Sequence, residues 1–282
     1  MPLILINNIG YSYPNGTEAL KNVSLNISKG ELIGIMGSNG AGKTTLIRTL
    51  NGLIRPSKGR IFIKGESIKT KTIATLAKDV GLIFQNPLHQ LFSSTIEEEI
   101  RFSLKNLDVS KEELQDRLNK IIKLFNLEKY RDRSPLNLSG GEAKKLAIAS
   151  IICRYPDILV FDEPTLGQDA KEIEFFINFL KSEMKYDKTI IIITHNIEFA
   201  LEHIPRTILM AEGNIIADGP TNEILNNESL IKKTHLILPQ IRKFVIELQK
   251  IGIQCPSDIH SKEKMVEFLS KYIKSNIKGG IN

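Results

Sequence analysis

The sequence predicts an α/β fold in which a β-rich core is interrupted by a helical insert and followed by a small C-terminal appendage. Three observations carry this. Apolar runs of strand length recur at 80–85, 158–161 and 189–194. The stretch 86–150 reads instead with helix-start signals. A glycine-rich loop joins a strand-like run at 31–36 to an amphipathic helix pattern at 42–54.

Taken in order, 3–8 is an apolar strand, and 23–28 alternates Val, Leu and Ile with polar residues. Lys29-Gly30 turns the chain into the strand at 31–36. After the loop, apolar residues at 46, 47, 50, 53 and 54 mark one helix face, which Pro56-Ser57-Lys58-Gly59 breaks. Residues 60–64 are β-like, and 80–85 is a buried strand. Thr95-Ile96-Glu97-Glu98 and Ser110-Lys111-Glu112-Glu113 read as capping boxes that start helices. Strands return at 158–161 and 189–194, with a helix at 171–184 between them. Residues 206–218 read as a hairpin around Glu212-Gly213-Asn214. The last segment restarts after Pro239. There Ser261 is expected to cap a helix with Met265, Val266, Leu269, Tyr272 and Ile273 on one face.

The length, 282 residues, suggests about two domains. Hydrophobic residues at 41% and charged residues at 25% exclude a largely disordered chain. No run approaches the roughly 20 apolar residues of a membrane span. The opening Met1-Pro2-Leu3-Ile4-Leu5 has no basic region, so a secretory signal is not expected. Two cysteines, Cys153 and Cys255, make neither a disulfide framework nor a CxxC pair, and a reducing, cytoplasmic setting is expected. The net charge is +6, and segment 235–282 holds twice as many Lys/Arg as Asp/Glu. That segment reads either as a solvated helical surface or as a face for anionic lipid or nucleic acid. Aromatics are not interleaved with its charge, so base stacking has little support.

Gly37-Ser38-Asn39-Gly40-Ala41-Gly42-Lys43-Thr44 fits the GxxxxGK[ST] pattern, between a strand and a helix, and Thr45 follows it. Glycines let backbone N–H groups curl around a polyphosphate, and the helix end adds unpaired N–H groups and a positive dipole. Lys43 supplies a point charge for the β- and γ-phosphates, and the Thr44 hydroxyl suits Mg²⁺. A chance glycine turn would lack both flanks.

Ile158-Leu159-Val160-Phe161-Asp162-Glu163-Pro164 is an apolar strand ending in two acids. Asp162 is expected to hold Mg²⁺. Glu163, one residue on, points differently and suits activation of an attacking water. Alone, the two acids could simply cap a strand at a solvated turn. Leu138-Ser139-Gly140-Gly141-Glu142 is both a capping box and a second anion site, fit for a γ-phosphate already held elsewhere.

With these motifs in this order the chain resembles an ATP-binding cassette (ABC) ATPase over about residues 3 to 235. The resemblance implies a P-loop, RecA-like parallel sheet with an antiparallel β part, and a helical subdomain at about 86–150 within an ATPase domain 1–235. It implies a C-terminal extension, 236–282, as a possible dimerisation element. Gln85, in Phe84-Gln85-Asn86-Pro87, matches the family's Q-loop, which touches Mg²⁺ and the attacking water. His195, in Ile193-Thr194-His195-Asn196, matches its switch histidine at the γ-phosphate, and Tyr13 sits where the family stacks an aromatic on adenine. Glu163, His195 and Gln85 are therefore the expected catalytic residues; Thr44, Gln85 and Asp162 the Mg²⁺ ligands. Leu138 to Glu142 would contact the ATP of a second cassette, and Asp169 is the D-loop acid that crosses between the two. Glu142 departs from the family's commoner Gln, and Gln168 from its usual Leu.

Residues 85–107 resemble the energy-coupling-factor group, the ATPases of vitamin and cobalt or nickel importers, and so does the tail through Leu238-Pro239 and Cys255-Pro256. That resemblance implies a homodimer or heterodimer with a second ABC ATPase, a transmembrane coupling subunit and a substrate-binding membrane subunit. It implies no nucleic acid and a peripheral place on the cytoplasmic membrane face. Leu88, Leu91 and Phe92 either line the groove for a partner helix or belong to the insert's own core. Another importer type, or a soluble ABC ATPase such as an iron–sulfur assembly factor, remains the alternative. A chromosome-type ATPase does not fit, because the span from Gln85 to Ser139 is too short for a long coiled coil and has no sustained heptads.

Overall fold

The computed structural model describes residues 1–105, 107, 109–256, 259 and 262–279. In chain order the elements begin with β1 (Ile4–Ser12), β2 (Glu18–Ile27), β3 (Leu32–Met36), α1 (Lys43–Leu50), β4 (Lys58–Ile63), β5 (Glu66–Ser67), α2 (Ile73–Asp79) and β6 (Val80–Ile83). Three helices follow, α3 (Ile96–Leu104), α4 (Lys111–Leu124) and α5 (Gly140–Ile152). Then come β7 (Ile158–Asp162), α6 (Ala170–Met184), β8 (Thr189–Ile193), α7 (Ile197–His203), β9 (Arg206–Ala211) and β10 (Asn214–Pro220). The chain ends with α8 (Thr221–Leu225), α9 (Glu228–Thr234), α10 (Gln240–Lys250) and α11 (Lys262–Gly279).

Two sheets form. One is antiparallel, in the order β2-β1-β4-β5. The other has the order β10-β9-β3-β8-β7-β6, with β10 antiparallel at the edge and the other five strands parallel. The strands β7 and β8 are buried at every residue, as their unbroken apolar runs require of strands covered on both faces. Their side chains divide by the two-residue period. Ile158, Val160, Ile191 and Ile193 join the core shared with α1 and the antiparallel sheet. Leu159, Phe161, Ile190 and Ile192 join the core under α5, α6 and the insert. Parallel strands all finish on one edge, so the segments after β3, β6, β7 and β8 meet there.

Several expectations change in detail. The helix α1 stops at Leu50, because Asn51 caps it and Gly52 turns into left-handed conformation. The helix α2 and the short helices α7 to α9 were not read from the pattern. Thr95 and Ser110 do cap α3 and α4, accepting from Glu98 N–H and Glu113 N–H. The return halves go elsewhere: Glu98 accepts from Ser94 and Glu113 from Arg117. On α11, Met265 is buried, but Val266 and Ile273 are exposed rather than on the packed face. Ser261 lies outside the described residues. The segment's small core is Val245, Leu248, Ile259 and Met265. No described helix is long and apolar enough to cross a membrane.

The insert is tied to the sheet by aromatic packing. Phe125 is fully buried, with ring centroids 5.7 Å from Phe175 and 5.9 Å from Phe179. Phe125→Ala should lower the unfolding free energy by about 3–5 kcal/mol, read as a fall in urea midpoint.

Candidate functional site

The loop 37–42 leaves β3 at the shared sheet edge and ends at Gly42, the N-cap of α1, in left-handed conformation at φ 98°. No side chain caps this helix and no acid sits in its first turn, so its N–H groups stay open for an anion. Glycine is required twice. A Cβ on Gly37 would run into the Met210 carbonyl, and one on Gly42 into the Ala19 carbonyl. The Gly213 N–H donates to Ala41 O at 3.1 Å, so the β9–β10 turn braces the loop from behind.

Lys43 is buried, and its ammonium donates to Gly37 O at 2.8 Å and Ser38 O at 2.9 Å. Burial holds its pKa below the usual lysine range, against the pull of Glu163 and Asp162. The Thr44 hydroxyl donates to Asp162 Oδ2 at 3.3 Å, joining the loop helix to the end of β7. Burial pushes the Asp162 carboxyl up, and Thr44 opposes this. These two oxygens suit a hard divalent cation.

Asp162 is the last residue of β7, whereas Glu163 adopts left-handed backbone at φ 49°. That conformation costs a non-glycine residue roughly 1–2 kcal/mol. Its N–H donates to Ile193 O at 3.0 Å, pinning the turn to the end of β8. The two acids therefore diverge. Glu163 Oε1 lies 2.8 Å from His195 Nδ1, a pair that among uncharged tautomers requires the Nδ1–H form. Gln85 is exposed two residues beyond β6, next to β7 in the sheet, and forms no side-chain hydrogen bond among the described residues.

Tyr13 meets the loop from the antiparallel sheet. Its hydroxyl is 2.9 Å from Thr45 Oγ1, and its ring packs edge-on to Tyr11. Tyr13, Glu18, Asn39, Gly40, Lys43 and Thr44 line a pocket of about 240 Å³.

The segment 138–142 lies on the same edge but makes no hydrogen bond to loop 37–42 among the described residues. Ser139 caps α5 in a full capping box: its N–H donates to Glu142 Oε2 at 2.9 Å, and its Oγ accepts from Glu142 N–H at 3.3 Å. Hydrogen bonds from Tyr130, then from Ser139, hold the Glu142 carboxyl below its usual range. The Asp169 carboxylate caps α6 by accepting the Glu172 N–H at 2.9 Å, and its own N–H donates to Glu172 Oε2 at 3.0 Å.

Two residues at this edge escaped the sequence reading. Asp169-x-x-Glu172 is a capping box visible in the sequence. Lys144 is a buried lysine on α5 whose ammonium donates to Glu163 O at 3.3 Å and Leu166 O at 3.4 Å. Burial lowers its pKa to about 8, against Glu172 and Glu163. Its signal was a charge among the apolar residues Ala143, Leu146 and Ala147.

A second concavity, of about 480 Å³, lies between α2, α3 and α5 and includes Phe92, Glu99, Phe102 and Arg154 in its wall. Leu91 is not in it: that side chain is buried in the insert's core. Leu88 is exposed but outside the wall. Phe92 is 66% exposed and packs edge-on to Phe102.

The family model described as ABC transporter matches residues 20–166. The energy-coupling factor transporter ATP-binding protein EcfA1 of Methanospirillum hungatei is 35% identical, over 97% of this chain and 99% of its own length. The solved structure of cbiO1 from Clostridium perfringens, part of the ABC transporter complex cbiONQ, superposes with a TM-score of 0.73. It is 33% identical and covers 87% of this chain and 99% of that one. A dimeric, post-hydrolysis structure of the ATP-binding cassette MJ0796 with ADP and Pi gives a TM-score of 0.70 at 29% identity, over 77% of this chain and 98% of that one. The chain spans only 42% and 43% of the first curated relatives it matches, which are 38% identical.

Gly37→Ala should cost roughly 1–3 kcal/mol in backbone strain, because the Met210 carbonyl belongs to β9 and has no room to retreat. A lower melting temperature together with lost binding of a fluorescent ATP analogue is the expected result.

Proposed function

This chain belongs to the ABC transporter family, and we propose that it is the ATP-hydrolysing subunit of an energy-coupling-factor importer. The observation that carries the reading is the meeting, at one sheet edge, of the Lys43 loop, the Thr44–Asp162 pair and the Glu163–His195 pair. Both pairs meet at the end of β7, one reaching the helix after β3 and the other the segment after the adjacent β8, so the arrangement belongs to the fold rather than to one loop.

ATP would lie along the N-terminus of α1 with its base towards Tyr13. Lys43 would exchange its two loop carbonyls for β- and γ-phosphate oxygens. A Mg²⁺ ion would be held by Thr44, Asp162 and Gln85, and when bound it would offset phosphate charge. Glu163 would take a proton from the attacking water as the Pγ–O bond to ADP breaks, with His195 holding its carboxylate in register.

The first turn of α5, capped by Ser139 and Glu142 and carrying Gly140 and Gly141 without side chains, would supply a second contact to the γ-phosphate of a partner cassette, the same chain or a second ATPase. Asp169 would lie near that seam. ATP then acts as the bridge between two subunits, and its hydrolysis biases the pair towards opening. The names of EcfA1 and of the cbiONQ complex favour the importer reading. Cargo, a vitamin or a transition-metal ion, would pass through separate membrane subunits. The ATPase would sit on the cytoplasmic membrane face, binding no nucleic acid, with residues 236–282 as an extension that aids pairing of the 1–235 domain.

The concavity beside Phe92 and Phe102 suits a short apolar helix from a membrane coupling subunit. Phe92→Asp should prevent co-purification with membrane subunits while sparing ATP turnover of the isolated chain. Leu91→Asp should abolish both, because it places a charge in the core. Loss of turnover in Phe92→Asp would argue against the docking role.

Glu163→Gln is the test of the whole reading. Turnover should fall about 10²-fold or more, while ATP affinity stays and a nucleotide-bound dimer accumulates in light scattering. Near-normal turnover would remove Glu163 from the base role.

A further inference from the structure

We propose that Lys144 is a positioning residue that locks the Glu163 turn to the helix beginning at Ser139, an assignment that rests on the ATPase reading above. Lys144 is 6% exposed, and its ammonium reaches two carbonyls, of Glu163 and Leu166, that lie on either side of Pro164 and Thr165. No carboxylate lies within salt-bridge distance of it among the described residues. A buried ammonium held by neutral carbonyls is a costly way to pack a helix, and an apolar side chain of equal length would pack it better. What lysine supplies is direction: one head with three donors gathers a left-handed residue and the loop after it onto a single point.

A second contact runs in parallel. A Cβ on Gly141 would collide with the Glu172 carboxylate, which the Asp169 N–H holds at the start of α6. The first turn of α5 is thus seated on the first turn of α6, and its second turn holds the Glu163 carbonyl. Any tilt of α5 reaches the turn that carries Glu163. In the proposed dimer Ser139 serves the partner's ATP and Glu163 serves its own, so Lys144 links the two sites within one chain. The charged groups around Lys144 are Glu163 on the turn and Glu172 on α6.

The test uses the full-length chain with Mg-ATP, comparing K144M, K144R, E163Q and the E163Q/K144M double variant. K144M should lose about tenfold or more in kcat with KM for ATP within about twofold, and its melting temperature should not fall. K144R, which keeps the donors, should recover most of the loss. The double variant should be no slower than E163Q alone, because Lys144 acts only through Glu163. Turnover of K144M within about twofold of wild type overturns the assignment. So does a loss shared by KM or by melting temperature, which marks a purely structural lysine. A wild-type chain without ATP turnover overturns the ATPase reading, and the assignment with it.

Discussion

The phosphate loop has its shape because backbone from both sheets packs against it. The Met210 carbonyl of the parallel sheet lies where a Gly37 side chain would go, and the Ala19 carbonyl of the antiparallel sheet where a Gly42 side chain would go. Lys21 N–H donates to Gly213 O, and Gly213 N–H to Ala41 O, so strand β2, the β9–β10 turn and the loop form one hydrogen-bonded seam. The loop cannot relax without separating the sheets. Its N–H groups are therefore set before any anion arrives, which spares the ordering cost that a free glycine loop would bring to binding.

From that seam the rest of the site follows through strand order. Because β3 lies beside β8, and β8 beside β7, the loop helix stands opposite the acids at the end of β7. The change from extended Asp162 to left-handed Glu163 then does what a uniform strand could not. It sends adjacent carboxylates to different partners, Thr44 on one side and His195 on the other. The local strain at Glu163 is held by Ile193 O on its N–H and by Lys144 on its carbonyl.

What the sequence disclosed follows the range of the interactions involved. The strands of the parallel sheet were legible because they are buried on both faces and read as unbroken apolar runs. The loop was legible because its glycines, lysine and threonine are contiguous. Pairings such as β1 with β4 were not, since nothing local records that Ile6 lies across from Ile61. Leu91 illustrates the same limit at the level of one side chain. It adjoins Phe92 in the chain, yet one packs inward and the other is exposed, and only the helices that surround them decide which. The α11 face was misjudged for Val266 and Ile273 because helical spacing alone does not say which apolar residues meet Val245 and Leu248 of α10, and it is Met265 that joins them. Lys144 was missed for a different reason: a lysine on a helix is read as a surface charge, and its burial is a property of the turn it holds.

The charges at this edge also constrain what it accepts. Two buried lysines flank Glu163, Lys43 together with Asp162 and Lys144 together with Glu172, and burial pushes both lysines down and Asp162 up. An anion entering alone would meet Lys43 and the helix N-terminus, but also the field of Asp162 and Glu163. A cation entering alone would find Thr44 and Asp162, and no group of three His, Cys, Asp or Glu side chains able to hold a metal occurs among the described residues. A polyphosphate that carries its own divalent cation would meet both demands, with Thr44 and Asp162 offering oxygens to the cation and Lys43 a charge to the phosphates. On the proposed ATPase reading, this balance of buried charge would favour the metal–nucleotide pair over either component, through the same residues that hold the Glu163 turn in place.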